Sequence, residues 1–134
     1  GFEALKKMLV AESAEHNDKV KYSEYVVGEV YKRNKRINVR QIIGNTKDYI
    51  VKKHIVDSGP FDLIYIDAAH TYDGIGNDTR ISFDSISKDG IIIWDDYNSH
   101  WTGVNNFLND LSKDKGLYYL RDNRFVVYVN SENK

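Results

Sequence analysis

The chain has no cysteine, a single proline (Pro60) and no apolar run approaching the roughly 18 residues that cross a bilayer. Without thiols, disulfides and thiolate metal centres are excluded, so any metal must be held by oxygen or imidazole, and a reducing compartment is permitted. No Pro/Gly/Ser-rich linker, internal repeat or low-complexity tract divides the 134 residues, so a single domain over 1–134 is expected. No membrane span and no signal peptide are seen, and a cytoplasmic setting without membrane contact follows as the expectation. An excess of positive charge is also lacking. Nineteen Lys and Arg face twenty Asp and Glu, which leaves nucleic acid without the field it needs, so no nucleic-acid partner is expected.

What the chain does have is two short apolar runs that end abruptly in acid. Phe61-Asp62-Leu63-Ile64-Tyr65-Ile66 leads into Asp67-Ala68-Ala69-His70, and Gly90-Ile91-Ile92-Ile93-Trp94 leads into Asp95-Asp96-Tyr97. Both are rich in β-branched and aromatic residues and bounded by turn formers, the pattern of buried strands. In an open parallel sheet, ligands bind beyond the carboxyl ends of the strands. Asp67, His70, Asp95 and Asp96 are therefore expected in one crevice.

The remaining pattern alternates helix and strand. Glu3 to Ala14 contains good helix formers, while Met8-Leu9-Val10-Ala11 fits a short strand ending at Glu12 equally well. Ser23 suits an N-cap, and Val26, Val27, Val30 and Tyr31 give an apolar stripe for a helix over 23–35, closed by Lys32, Arg33, Lys35 and Arg36. Alternation over 37–43 before Gly44-Asn45 predicts a strand, and 48–56 a helix. Further helices are predicted over 77–87, after a glycine-containing loop, and over 103–113, where Val104, Phe107, Leu108 and Leu111 share a face. Leu117-Tyr118-Tyr119-Leu120 and Phe125-Val126-Val127-Tyr128-Val129 predict a closing hairpin. The sum is an α/β, Rossmann-like sheet with helices on both faces and a C-terminal antiparallel pair.

Asp67-x-x-His70-x-Tyr72, followed after a helix by Asp89-Gly90-Ile91-Ile92-Ile93-Trp94-Asp95-Asp96-Tyr97, resembles the class I S-adenosylmethionine-dependent methyltransferases. Within them it is most similar to the metal-dependent sugar O-methyltransferase branch of macrocin and mycinamicin type. The resemblance covers roughly residues 20–129. It implies S-adenosylmethionine and a divalent, magnesium-type ion as cofactors and the hydroxyl of a sugar or other small molecule as acceptor. Asp67, Asp95 and Asp96 match the family's metal carboxylates, and His70 matches the general base. Glu12, less readily Glu24, corresponds to the acid that binds the ribose hydroxyls. Asn45 stands where adenine is contacted, and Asp67 also borders the cofactor. A hard cation prefers oxygen ligands, and imidazole, with an ordinary pKa of about 6.5, suits proton removal near neutrality.

The family's first strand and glycine-rich loop have no counterpart ahead of Gly1 in this sequence. Self-association by strand exchange is one expectation that follows, and a non-catalytic Rossmann-like assembly module is the alternative function. A dinucleotide oxidoreductase lacks its Gly-x-Gly-x-x-Gly fingerprint. Plainer roles compete at single residues. Strand-end aspartates also serve as helix N-caps, Tyr72 and Tyr97 are expected to pack, and His16, His54 and His100 share no ligand spacing and are expected at the surface. His100-Trp101 reads as a loop with one aromatic anchor.

Overall fold

A computed structural model describes residues 40–131 together with the backbone of 8–12. Five strands form one sheet: β1 (Met8–Glu12), β2 (Phe61–Asp67), β3 (Ile86–Trp94), β4 (Leu117–Tyr119) and β5 (Val126–Val129), in the order β1-β2-β3-β5-β4. The first three are mutually parallel, and β5 runs antiparallel to both β3 and β4. Of the two readings open for the first segment, the structure adopts the strand ending at Glu12. The described residues also form helices α1 (Tyr49–Ser58), α2 (Tyr72–Ser85) and α3 (Thr102–Leu111). Among the described residues no helix is long and apolar enough to cross a membrane. The mixed α/β architecture and the closing hairpin agree with the expectation, whereas the predicted helix over 23–35 lies outside the described residues.

The alternating side chains of β2 and β3 explain the core. Ile64, Ile66, Ile92 and Trp94 are buried on one face, where Ile75 and Ile81 of α2, Val104 and Leu108 of α3 and Ile55 of α1 join the same cluster. The crossover from β2 to β3 runs through α2, which packs on both strands and against α1 and α3. At its centre the Trp94 indole N–H donates to Thr79 Oγ1 at 2.8 Å with both residues buried. A buried donor has no water to fall back on, so this bond fixes the depth of α2 over the sheet.

Three expectations are corrected. The α2 helix begins at Tyr72 rather than 77, with Thr71 as N-cap accepting from the Gly74 amide at 3.2 Å. Gly74 and Gly76, read as loop formers, lie inside it for packing reasons. A Cβ on Gly74 would sit 2.8 Å from Thr71 Oγ1, and one on Gly76 would sit 3.1 Å from the Phe107 ring. The helix also ends at Ser85 and not at 87, because β3 starts at Ile86. Its first residues bulge between the Phe61–Ile86 and Leu63–Ile91 pairings. Asp89 turns through the left-handed region at φ 60°, and the bulge is held by Asn130, whose amide donates to Gly90 O and whose side chain donates to Ser87 O, each at 2.8 Å. Finally, of the strand expected over 37–43, residues 40–43 are not a strand and 37–39 lie outside the described residues. Only Ile42 packs on the core, while Ile43 is 71% exposed, so the alternation in sequence corresponds to one inward anchor and no strand partner among the described residues.

Thr79→Val should leave the buried indole N–H without an acceptor and lower unfolding free energy by about 1–3 kcal/mol in urea titrations. Thr79→Ser, which keeps the hydroxyl, should lose less. Equal losses would show that the hydrogen bond contributes nothing beyond packing.

Candidate active site

The site is built at the carboxyl edge of the parallel strands. The Glu12 backbone lies opposite Asp67 in the β1–β2 register, and beyond Trp94 the Asp95 amide donates to Ile66 O at 3.0 Å. That bond carries the β2–β3 ladder one residue past the end of β3. It brings Asp95 and Asp96 level with Asp67. Asp96 takes a left-handed backbone at φ 63°, a conformation that aspartate tolerates better than most residues, and the chain turns there away from the sheet.

The turn sends the two adjacent carboxylates to different places. Asp96 faces His70, whose Nε2 lies 2.7 Å from Asp96 Oδ2. Asp67, His70 and Asp96 each offer a ligand atom, all within 4.8 Å of one another, and all three residues are half-buried. Asp95 points elsewhere. Its side chain is 1% exposed and makes a 2.6 Å contact from Oδ1 to Arg124 Nε. The same oxygen accepts from the Asp96 amide at 2.6 Å. Oδ2 accepts from Arg124 Nη2 at 3.1 Å and from the Tyr65 hydroxyl.

Electrostatics follow from this crowding. Partial burial, then the charges of Asp95 and Asp96, push the Asp67 carboxyl above the ordinary carboxylate range, with His70 and Arg124 opposing. Burial and its bond to Asp95 push the Tyr65 hydroxyl well up, so it remains a proton donor throughout the working pH range. Two carboxylates and an imidazole within reach of one point are a donor set suited to a hard or borderline divalent cation.

His70 is held from three sides. Its ring stacks on Trp101, centroids 4.0 Å apart and planes inclined 16°. Trp101 occupies the N-cap position of α3. The first turn of α3 approaches the backbone of 70–72 so closely that a Cβ on Gly103 would collide with His70 O and lie 2.8 Å from Tyr72 N. Ring orientation and helix position are thus coupled.

Other predicted residues sit apart. Asn45 is exposed, and its Oδ1 accepts from the Lys47 amide at 2.9 Å, closing the turn before α1. Tyr72 and Tyr97 bond Asp110 and Asn109 at 3.0 and 2.8 Å and pack on Phe107 and Tyr119. His54 and His100 are exposed, while His16 and Glu24 lie outside the described residues. Reading the sequence missed Arg124, Tyr65 and the contact of Trp101 with His70. Arg124 was within reach only through register, since the pairing of Trp94 with Val126 sets residue 124 beside 96. A separate open cavity of about 530 Å³ beside α2 and α3, lined by Lys47, Tyr72, Arg80, Phe83, Phe107 and Leu111 among others, has none of Asp67, His70, Asp95, Asp96 and Arg124 in its wall.

A family profile described as a methyltransferase domain matches residues 6–97. The chain belongs to this family. The methyltransferase match ends at Tyr97, just past the Asp95-Asp96 pair, and so takes in Asp67, His70 and both acids. No curated protein matches the sequence. Among solved structures the fold is similar to the MycE methyltransferase of the mycinamycin biosynthetic pathway in complex with Mg and SAH. That match has 14% identity, a TM-score of 0.65, and covers 91% of this chain and 44% of the other. A complex of the same enzyme with Mg, SAH and mycinamycin VI gives 13% identity, TM-score 0.64 and coverage of 96% and 46%. Spermidine synthase from Thermotoga maritima gives 12% identity, TM-score 0.50 and coverage of 93% and 45%. The chain spans less than half the length of each of these proteins. The resemblance drawn from the sequence therefore holds for family and fold.

The raised Asp67 pKa has a defined consequence. Because the folded state holds this proton to higher pH than the unfolded chain, protonation favours folding; that contribution is complete below the ordinary carboxylate pKa and is lost as pH rises through the folded value. In chelator-treated buffer, Asp67→Asn is expected to be more stable than wild type at neutral pH. The difference should vanish as pH falls into the ordinary carboxylate range. Urea midpoints against pH check this, and an Asp67→Asn protein less stable at pH 7 would contradict it.

Proposed function

We propose that this methyltransferase-family chain carries the methyl-transfer site of an S-adenosylmethionine-dependent O-methyltransferase acting on the hydroxyl of a small molecule, with a sugar as the favoured class. One observation carries the reading: the ligand atoms of Asp67, His70 and Asp96 converge within 4.8 Å at the carboxyl ends of adjacent parallel strands. The similarity in fold to an enzyme solved with Mg, SAH and mycinamycin VI supports it. When bound, the cofactor supplies a methyl group on a sulfonium, and a divalent ion supplies positive charge that lowers the pKa of a neighbouring hydroxyl.

The chain's own residues do the rest. Asp67 and Asp96 provide carboxylate oxygens for the ion. His70 takes the acceptor's hydroxyl proton, and the Asp96 carboxylate 2.7 Å away offsets the charge of the imidazolium formed. With the cofactor bound, the acceptor oxygen would take the methyl group as the sulfur–carbon bond breaks, giving a methyl ether and a neutral thioether, and His70 would hold the proton. The Trp101 stack keeps the imidazole plane fixed through that transfer. Glu12, at the tip of β1 beside Asp67, and Asn45 are assigned to the ribose and adenine ends of the cofactor, and Asp67 to its border. Partial burial of the cluster excludes part of the solvent, which strengthens each charge interaction within it.

Calorimetric titration of S-adenosylhomocysteine into the purified chain, with and without Mg²⁺, tests the assignment. Binding is expected, and His70→Ala should preserve it while lowering turnover with an accepted substrate by about 10²–10⁴-fold. Absence of binding to protein shown to be folded by circular dichroism would overturn the assignment in favour of a non-catalytic assembly module.

A further inference from the structure

We infer that Arg124 is a positioning residue that holds Asp95 out of the cation's ligand set, so that the second acid of the Asp95-Asp96 pair, and not the first, faces the ion. The inference rests on the metal-assisted reading above and departs from the sequence expectation, in which all three acids are ligands.

The geometry points to this from both partners. Asp95 has four donors on its two oxygens: Arg124 Nε and the Asp96 amide on Oδ1, Arg124 Nη2 and the Tyr65 hydroxyl on Oδ2. A carboxylate has about four lone-pair directions to offer, so the inventory is full. Burial makes each of those bonds costly to break, since a carboxylate with 1% exposure cannot exchange them for water. Arg124 is anchored through its backbone, which accepts from the Tyr97 amide at 3.0 Å and locks the hairpin turn to the segment just after Asp96. Its side chain is 58% exposed, yet its guanidinium presents two nitrogens to one carboxylate, a fork that lysine cannot reproduce.

The consequence reaches Asp96. With Oδ1 of Asp95 fixed by Arg124, the Asp96 amide has a stationary acceptor, and the left-handed turn at Asp96 directs its side chain to His70. Arg124 Nη1 also lies 3.7 Å from Asp96 Oδ1, on the side opposite to the oxygen that meets His70. Neighbouring acids are thereby divided: Arg124 takes both oxygens of Asp95 at 2.6 and 3.1 Å but reaches Asp96 only at 3.7 Å and on Oδ1 alone, which leaves Oδ2 facing His70 and the ion. A divalent ion that recruited Asp95 would have to expel a guanidinium from a buried, fully occupied carboxylate.

The pairing is read directly by the ¹⁵Nε–¹Hε resonance of Arg124, assigned by its loss in Arg124→Lys, during titration of the wild-type chain with Mg²⁺ alone. Solvent-exposed Arg80 and Arg121 mark the position of an arginine without a buried partner. Mg²⁺ is expected to shift the His70 ring and Asp96 backbone resonances to saturation while the Arg124 signal keeps its ion-paired position and slow exchange, and Asp96→Asn should lose the Mg²⁺ response. Movement of the Arg124 signal to the position of Arg80 and Arg121 at saturation would show that Asp95 has turned to the ion and would overturn the inference while leaving metal assistance intact. No Mg²⁺ response at any of these resonances would overturn metal assistance and the inference together.

Discussion

The level ending of β2 and β3 is the constraint from which the rest of the site follows. Parallel pairing of Ile66 with Trp94, continued by the Asp95 amide onto Ile66 O, brings residues about thirty apart in sequence to one edge. The pairing is secured from beneath, because Ile64, Ile66, Ile92 and Trp94 are buried against α2 and α3. A slip of one residue would reverse the facing of each side chain. It would exchange core for carboxylate, so the hydrophobic face that stabilises the sheet also sets the address of the acids.

Three carboxylates at one edge repel, and the fold handles that repulsion unevenly. Asp95 is buried and neutralised by Arg124 from the terminal hairpin, Asp96 has His70 beside it, and Asp67 is left with its pKa raised. Folding has thus placed one acid where its charge is disfavoured, as expected of a site whose partner is not part of the chain. The hairpin contributes more than a sheet edge. By carrying Arg124 it joins the last segment of the domain to the centre of the site, and α3 does the same for His70 through Trp101 and the close approach of Gly103.

Much of this was legible in the sequence, for identifiable reasons. Apolar runs ending in acid gave β2, the core of β3 and the location of Asp67, Asp95 and Asp96, because burial and strand propensity act locally. The helical stripe of Val104, Phe107, Leu108 and Leu111 and the closing hairpin were legible in the same way. Gly74 and Gly76 misled the reading of α2, since the small size of Gly74 answers to Ala69 and Thr71 at the helix N-cap and that of Gly76 to Phe107 across a tertiary contact. Residues 37–43 alternate in sequence, yet 40–43 have no strand partner among the described residues. The division of labour between Asp95 and Asp96 was invisible, because it depends on Arg124, whose proximity arises only from antiparallel register, and on a left-handed backbone at a single aspartate.

Where a divalent ion lodges decides whether the strand-end cluster is a metal site. Anomalous diffraction from crystals of the chain grown with S-adenosylhomocysteine and Mn²⁺ locates the ion without reference to turnover. The predicted result is one strong peak between Asp67 and Asp96 beside His70, with Asp95 still clasped by Arg124. A peak elsewhere on the molecule, or none at saturating Mn²⁺, would contradict the assignment of the strand-end cluster as a metal-assisted methyl-transfer site.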